Sequence, residues 1–211
     1  MNDFATRRMN PERRRRLLET AAREFAESGY EGASLNRIIR ECRMSKSSFY
    51  YYVESKRHLF DLVVRELTRE LLDRLSVPDP KEFAADFWPN TARVFERLTV
   101  LAREQPLFAD VGRMFHLPGA PTDPGSAAGS ALAAARSWLD RALAEGVAAG
   151  AVRGDLPPSL LRDVTFAVLA TFDEWTLRHQ EDLDGEVMRA LVRGELAALR
   201  RLLAPDTEVP S

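Results

Sequence analysis

Ser34, Ser45 and Ser55 set the frame for the first third of this chain. Each stands just ahead of a run with helical spacing, where a serine hydroxyl accepts from an amide that the helix leaves unpaired. Starts this close together leave room only for short helices joined by tight turns. Ahead of them, Asn10 followed by Pro11 predicts the start of a longer helix, a capping side chain and then a residue with no amide to satisfy. Leu17, Leu18, Ala21, Ala22, Phe25 and Ala26 form its apolar face, and Gly29 closes it. The second helix turns Leu35, Ile38 and Ile39 inward. The third runs to about Tyr52 and the fourth to about Ser76, with Pro78 and Pro80 ending it.

The rest of the chain keeps helical periodicity, and no convincing period-two strand pattern occurs. An amphipathic segment covers 81–104, with a kink expected at Pro89. A shorter helix follows at 106–117, and then the Pro/Gly/Ser/Ala-rich stretch from Pro118 to Gly129, the longest loop. Helices are expected at about 130–149, 158–181 and 185–204, the last two separated by a polar turn around Glu181 to Gly185. The expected fold is all-α: an N-terminal three-helix helix-turn-helix domain and a C-terminal helical domain. The expected boundaries are 1–55 for an arm and the first domain, 56–204 for the second, and 205–211 for a flexible tail. Helix 56–76 would link the two domains.

Charge is uneven along the chain. Residues 1–57 hold 13 Lys or Arg against 8 Asp or Glu, a net +5, while residues 58–211 carry a net −7. That split points to a polyanionic partner for the first part alone. The lone cysteine, Cys42, excludes an internal disulfide. His58, His116 and His179 are far apart, so no metal site and no cofactor is expected. Glycine-rich phosphate loops, a nucleophile elbow and a zinc-protease motif are all missing from the sequence, which leaves catalysis no starting point. With no signal peptide and no run of roughly 20 apolar residues, the reading is a non-enzymatic cytoplasmic protein that does not enter membranes.

The segment from Ser34 to Tyr52 has the parts of a helix-turn-helix. Leu35, Ile38, Ile39, Met44 and Phe49 are spaced to share a core with the first helix, leaving Lys46, Ser47, Ser48, Tyr50 and Tyr51 on or near the exposed side of a short helix. Lysine, hydroxyls and tyrosines suit phosphate oxygens and base edges. The run Leu17–Leu18, Ala21–Ala22, Phe25–Ala26, Gly29–Tyr30, Ser34, Ile38, Ser45–Lys46, Phe49–Tyr50, Ser55–Lys56 and Leu59 resembles the DNA-binding domain of the TetR (tetracycline-repressor-like) family over about residues 13–62. The resemblance implies that Ser45 to Tyr51 is the recognition helix, that Tyr50 and Lys56 contact phosphates, and that Ser34 caps helix two and touches the DNA backbone. The chain departs from the family at Cys42 and Arg43, where small residues are usual, at Ser47, often glycine, and at Val53, usually aromatic. Arg43 leaves the turn geometry open, because glycine tolerates left-handed dihedrals that arginine does not.

Beyond this domain the likeness lies in architecture. Gly146–Val147, Gly150 and Val152 to Pro157 look like the family's entry into two C-terminal dimer helices. In the last helix Val187, Met188, Leu191, Val192, Leu196, Leu199, Leu202 and Leu203 cover about half the circumference, more than one packing face needs. Gly194, Ala190, Ala197 and Ala198 lie beside that stripe. Leu161, Val164, Thr165, Val168, Phe172 and Trp175 form another on the preceding helix. Val168, Phe172, Leu191, Gly194 and Ala198 are therefore expected at a homodimer interface, with an ordinary internal core as the alternative. Family resemblance further implies a small-molecule cavity, for which Trp88, Phe95, Phe108, Arg113, Phe115, Phe166 and Trp175 are the candidates; His116 and Asp173 are weaker ones. The resulting reading is a repressor released from a palindromic operator on double-stranded DNA by a small hydrophobic ligand. An activator, a ligand-dependent DNA binder of the same fold, and a helical interaction module with vestigial DNA binding stay open as alternatives.

Overall fold

A computed structural model describes residues 8–179 and 183–205. Among the described residues the regular structure is helical, with no strand: α1 Pro11–Gly32, α2 Leu35–Glu41, α3 Lys46–Tyr52, α4 Lys56–Leu75, a 3-10 turn Pro80–Ala84, α5 Phe87–Glu104, α6 Pro106–Met114, α7 Ala127–Ala148, α8 Pro158–His179 and α9 Gly185–Leu203. The all-α expectation holds. Residues 1–7 of the expected arm, residues 180–182 at the end of one expected helix and in the turn after it, and residues 206–211 of the expected tail lie outside the described residues.

Local chemistry accounts for five of the helix starts and for the break in α1. The Asn10 side chain accepts from the amides of Glu12 and Arg13 at 3.0 and 3.2 Å. Gly29 leaves helical geometry at φ 71°, and its carbonyl accepts from the Ala33 amide. Ser34, Ser45 and Ser55 accept from the amides of Arg37, Ser48 and His58. Asp184 caps α9 by accepting from Glu186 and Val187.

Three expectations need correction. The segment 81–104 does not kink at Pro89; it breaks before Phe87, after a 3-10 turn closed by an Asp79–Glu82 capping box. Pro89 then lies in the first turn of α5, where a missing amide leaves no intrahelical bond unmade. The helix expected from 130 starts at Ala127, because the Ala127 amide donates to Asp61 Oδ1 at 2.8 Å and the Gly129 amide to Ser126 Oγ at 2.9 Å. The helix expected to reach 117 ends at Met114.

Packing divides the chain into two units: residues up to Arg74 with Leu101–Leu132, and Leu75–Val100 with the residues from Ala133 onward. The expected line at 55/56 therefore falls inside the first unit. Leu59, Phe60, Val63, Val64 and Leu67 of α4 are buried in one core with Leu17, Phe25, Ile38 and Phe49, and Val111 and Met114 of α6 join them. Phe60 meets Phe25 and Tyr30 edge to face, each at 5.2 Å between ring centres. The second unit has its own core of Phe83, Phe87, Ala142, Leu143, Val152, Leu161, Leu199 and Leu203. Phe83 packs edge-on against Phe87 and Trp138, and the Trp138 indole donates to Pro78 O at 3.0 Å. Gly146 sits in this core with no room for a Cβ, which would fall 2.6 Å from both Phe87 and Val152.

Candidate nucleic-acid interface

A recognition helix must be held rigidly by one face and left bare on the other. In α3 the rigid face is Phe49, which is fully buried, with Met44 and Val53 buried at its two ends. Tyr50 and Tyr51 are 49% and 65% exposed. Lys46 and Ser47 are exposed, and Ser48 is half-buried. The Ser45 hydroxyl caps the Ser48 amide and also lies 3.2 Å from Ser47 Oγ, which ties the first turn together. Tyr51 and Tyr52 meet edge to face at 4.9 Å, as do Phe49 and Tyr50 at 5.3 Å.

Helix α2 is fixed to α1 through a buried carboxylate. Glu24, 5% exposed, accepts from the Ser34 amide at 2.8 Å and from the Arg37 guanidinium at 3.0 Å. Ser34, expected at the DNA backbone, donates its amide to Glu24 of α1 and accepts from the Arg37 amide through its hydroxyl oxygen, whose own proton remains to be donated. Arg16 reaches across to the Glu41 carbonyl at 2.7 Å, fixing the far end of α2. Cys42 is buried, and burial pushes its thiol pKa up, away from the thiolate form that reacts.

The turn into α3 settles the question left open at Arg43. The Met44 amide donates to Ile39 O at 3.0 Å and the Arg43 amide to Arg40 O at 3.1 Å. This pair of bonds is the Schellman arrangement, with its left-handed residue at Arg43, φ 51°. Ile39 and Met44, both buried, supply the apolar contact that accompanies it. The turn keeps its geometry with an arginine in the position that glycine fills without strain.

Lys56 stands at the start of α4, and its ammonium donates to Tyr30 O at 3.1 Å and Glu31 O at 2.7 Å, 5.8 Å from the centre of the Tyr30 ring. Two of its three protons serve the carbonyl end of α1. That role was not foreseen from sequence, because carbonyls 25 and 26 residues away leave no signature in it. One residue on, Arg57 pairs with Asp123 at 2.6 Å.

The seven expected ligand residues divide between the two units. In the first, Phe108 is buried under the Arg74 guanidinium, Arg113 pairs with Asp110 at 2.6 Å, and Phe115 packs on the core. In the second, Trp88 and Phe95 pack on the core, Phe166 lies 4.5 Å beneath the Arg136 guanidinium, and Trp175 stacks on His179. A groove of about 490 Å³ opens instead beside α4 and the start of α7, lined by Val64, Arg65, Thr68, Leu72, Ser126 and Ser130 among others. None of the seven lines it. Of the expected interface residues, Val168, Phe172, Leu191 and Ala198 are half-buried, and Gly194 is exposed with open space where a Cβ would stand.

Residues 17–63 match the model for bacterial regulatory proteins of the tetR family. The HTH-type transcriptional regulator YuxN of Bacillus subtilis is 42% identical over 48 residues, which cover 23% of this chain and 16% of that protein. The HTH-type transcriptional repressor AcnR of Corynebacterium diphtheriae is 39% identical over 54 residues, covering 26% of this chain and 28% of that protein. The chain thus spans less than a third of the length of either relative. Among solved structures, the transcriptional regulator FadR from Bacillus subtilis in complex with stearoyl-CoA superposes with a TM-score of 0.68 at 18% identity, over 88% of this chain and 96% of that one. That likeness is one of fold.

Proposed function

We propose that this chain, a tetR-family protein by its N-terminal domain, is a dimeric transcriptional regulator that grips operator DNA with α3 and releases it when a small hydrophobic molecule binds. The observation that carries the reading is α3 itself. It buries Phe49 and leaves Lys46, Ser47, Tyr50 and Tyr51 exposed, an arrangement suited to a major groove and wasteful toward water. In this reading Ser45 to Tyr51 enter the groove, and Tyr50 donates its hydroxyl to a phosphate. Lys56 offers a phosphate its third N–H while holding the end of α1. Two copies would occupy successive major grooves about 34 Å or a multiple of that apart.

The second copy would pair through α8 and α9. Half-buried Val168, Phe172 and Leu191 and the open space at Gly194 support that assignment, since a paired helix completes such a face. For the effector, support comes from the apolar character of the aromatic candidates and from the acyl-CoA bound by FadR. Release would travel through α4, whose Lys56 holds the end of α1 and whose Asp61 holds the first amide of α7. The protein is read as a non-enzymatic repressor of the cytoplasm; among the described residues no helix is long and apolar enough to cross a membrane.

The test is selection of duplexes from a random pool, followed by titration across a salt series. Sequence-specific binding whose logarithm falls linearly with the logarithm of salt supports the reading. Weak binding without sequence preference would leave a helical interaction module in its place. Once an effector is in hand, saturating operator should weaken its binding by the same factor by which it weakens the operator's, typically 5- to 150-fold. Equal affinities with and without operator would remove that compound as the signal.

A further inference from the structure

We infer that Arg43, in the turn ahead of α3, is a further DNA contact that holds a backbone phosphate beside the bases α3 would read; the inference rests on the reading of α3 as a recognition helix. Arg43 is exposed, and its backbone is left-handed at φ 51°. Any L side chain is strained in that conformation and glycine is not. The Schellman bonds of Arg43 and Met44 are backbone bonds that glycine would make as well. The side chain therefore adds nothing to the turn and burdens it.

Nor does the side chain serve packing or internal charge balance. Among the described residues the Arg43 guanidinium has neither hydrogen bond nor ion pair. Four other arginines of the same domain are spent internally: Arg14 on Glu66, Arg37 on Glu24, Arg57 on Asp123 and Arg16 on the Glu41 carbonyl. Arg40 and Lys46, three residues to either side, are likewise exposed. Positions 40, 43 and 46 thus place three cations around the turn, two residues ahead of the Ser45 cap and immediately beside the bare face of α3. Strained residues that their surroundings do not need collect at functional sites. A guanidinium is the side chain best matched to a phosphate, which it can hold with two parallel hydrogen bonds.

The strain gives the test opposite signs for fold and function. The probe is a duplex that the wild-type protein enriches from a random pool, titrated by fluorescence anisotropy across a salt series. Arg43→Gly relieves the backbone and should raise the thermal midpoint by about 3 °C. The same variant should bind the duplex about 10-fold more weakly, equally for all sequences tried, with a salt slope smaller by about one. Arg43→Lys keeps the strain and the charge, and should recover most of the affinity without the gain in midpoint. Arg43→Gly binding as tightly as wild type, with an unchanged slope, overturns the proposal. A change in sequence preference with the slope intact would also overturn it, since a phosphate carries no sequence. A wild-type protein that enriches no duplex removes the recognition-helix reading and this inference with it, whereas a wild-type that enriches one and a glycine variant that matches it removes Arg43 alone.

Discussion

The two units leave apolar surface uncovered in different places. In the first, Phe25, Phe49 and Phe60 are sealed completely from water, and the carboxylates drawn inside, Glu24 and Glu66, are both answered by arginines. In the second, a sealed core around Phe83 and Phe87 gives way along α8 and α9 to apolar side chains that are only half-buried, while Leu160, Trp175 and Val187 are 45%, 42% and 43% exposed. Glu195 lies on this stretch with no arginine partner among the described residues; burial first, and then the nearby charge of Asp173, push its carboxyl up to about 8. The first unit bares Tyr50 and Tyr51 on α3 and Leu72 on α4, whereas the second leaves its apolar surface uncovered along α8 and α9, which is what supports giving those helices to a partner copy.

That contrast can be broken at four points. Phe25→Ala should cost the first unit about 3–5 kcal/mol, read from urea unfolding by far-ultraviolet circular dichroism. An unchanged midpoint would mean that this core is loosely packed after all. Gly146→Val tests the sealed part of the second unit, where the new side chain meets Phe87 and Val152 at 2.6 Å. A loss of about 1–3 kcal/mol is expected. Trp88, Trp138 and Trp175 all lie in the second unit, so tryptophan fluorescence reports it.

The third point is a pH dependence. Glu195 in the folded chain keeps its proton up to about 8, whereas an unfolded glutamate releases it near 4.5. Between those values the native state holds more protons than the unfolded one, so this group lowers stability as pH rises, by at most about 1.4 kcal/mol per pH unit. Glu195→Gln should flatten that slope; a slope unaffected by the substitution would show that the carboxyl is solvated. The smallest effect on the fold belongs to Gly194→Arg, expected to change stability by no more than about 0.5 kcal/mol because the site is open. Sedimentation should nonetheless show a shift to monomer, with operator binding lost. A stable dimer with full DNA affinity would move the interface away from Gly194.

Much of the candidate site was legible because its parts are local. Phe49 inward with Lys46, Tyr50 and Tyr51 outward follows from helical spacing alone, and the structure places them so. The ligand candidates carry no comparable local pattern. Aromatic residues are indistinguishable in sequence whether they pack on a core, as Trp88 does, or stack on a neighbouring histidine in the open, as Trp175 does. The groove beside α4 joins Arg65 and Thr68 to Ser126 and Ser130, some 60 residues away in the chain, and no spacing rule links such positions.

The division follows the range of the forces involved. Asn10–Pro11, Ser34, Ser45 and Asp184 start helices through bonds that span two or three residues, so their effect can be read wherever those residues occur. Gly29 breaks the helical geometry of α1 for an equally local reason, its access to φ 71°. Tertiary packing alone settled which distant partner each polar group would meet. It sent Lys56 to the carbonyls of Tyr30 and Glu31, brought Asp61 to the first amide of α7 and so started that helix at Ala127, and let Pro89 sit harmlessly in a first turn. It also drew α4 into the N-terminal core, because Leu59, Phe60, Val63 and Leu67 needed a partner surface and α1 supplied one. Choices of that kind depend on which surfaces arrive together when the chain collapses, and a linear pattern of residue types does not contain them.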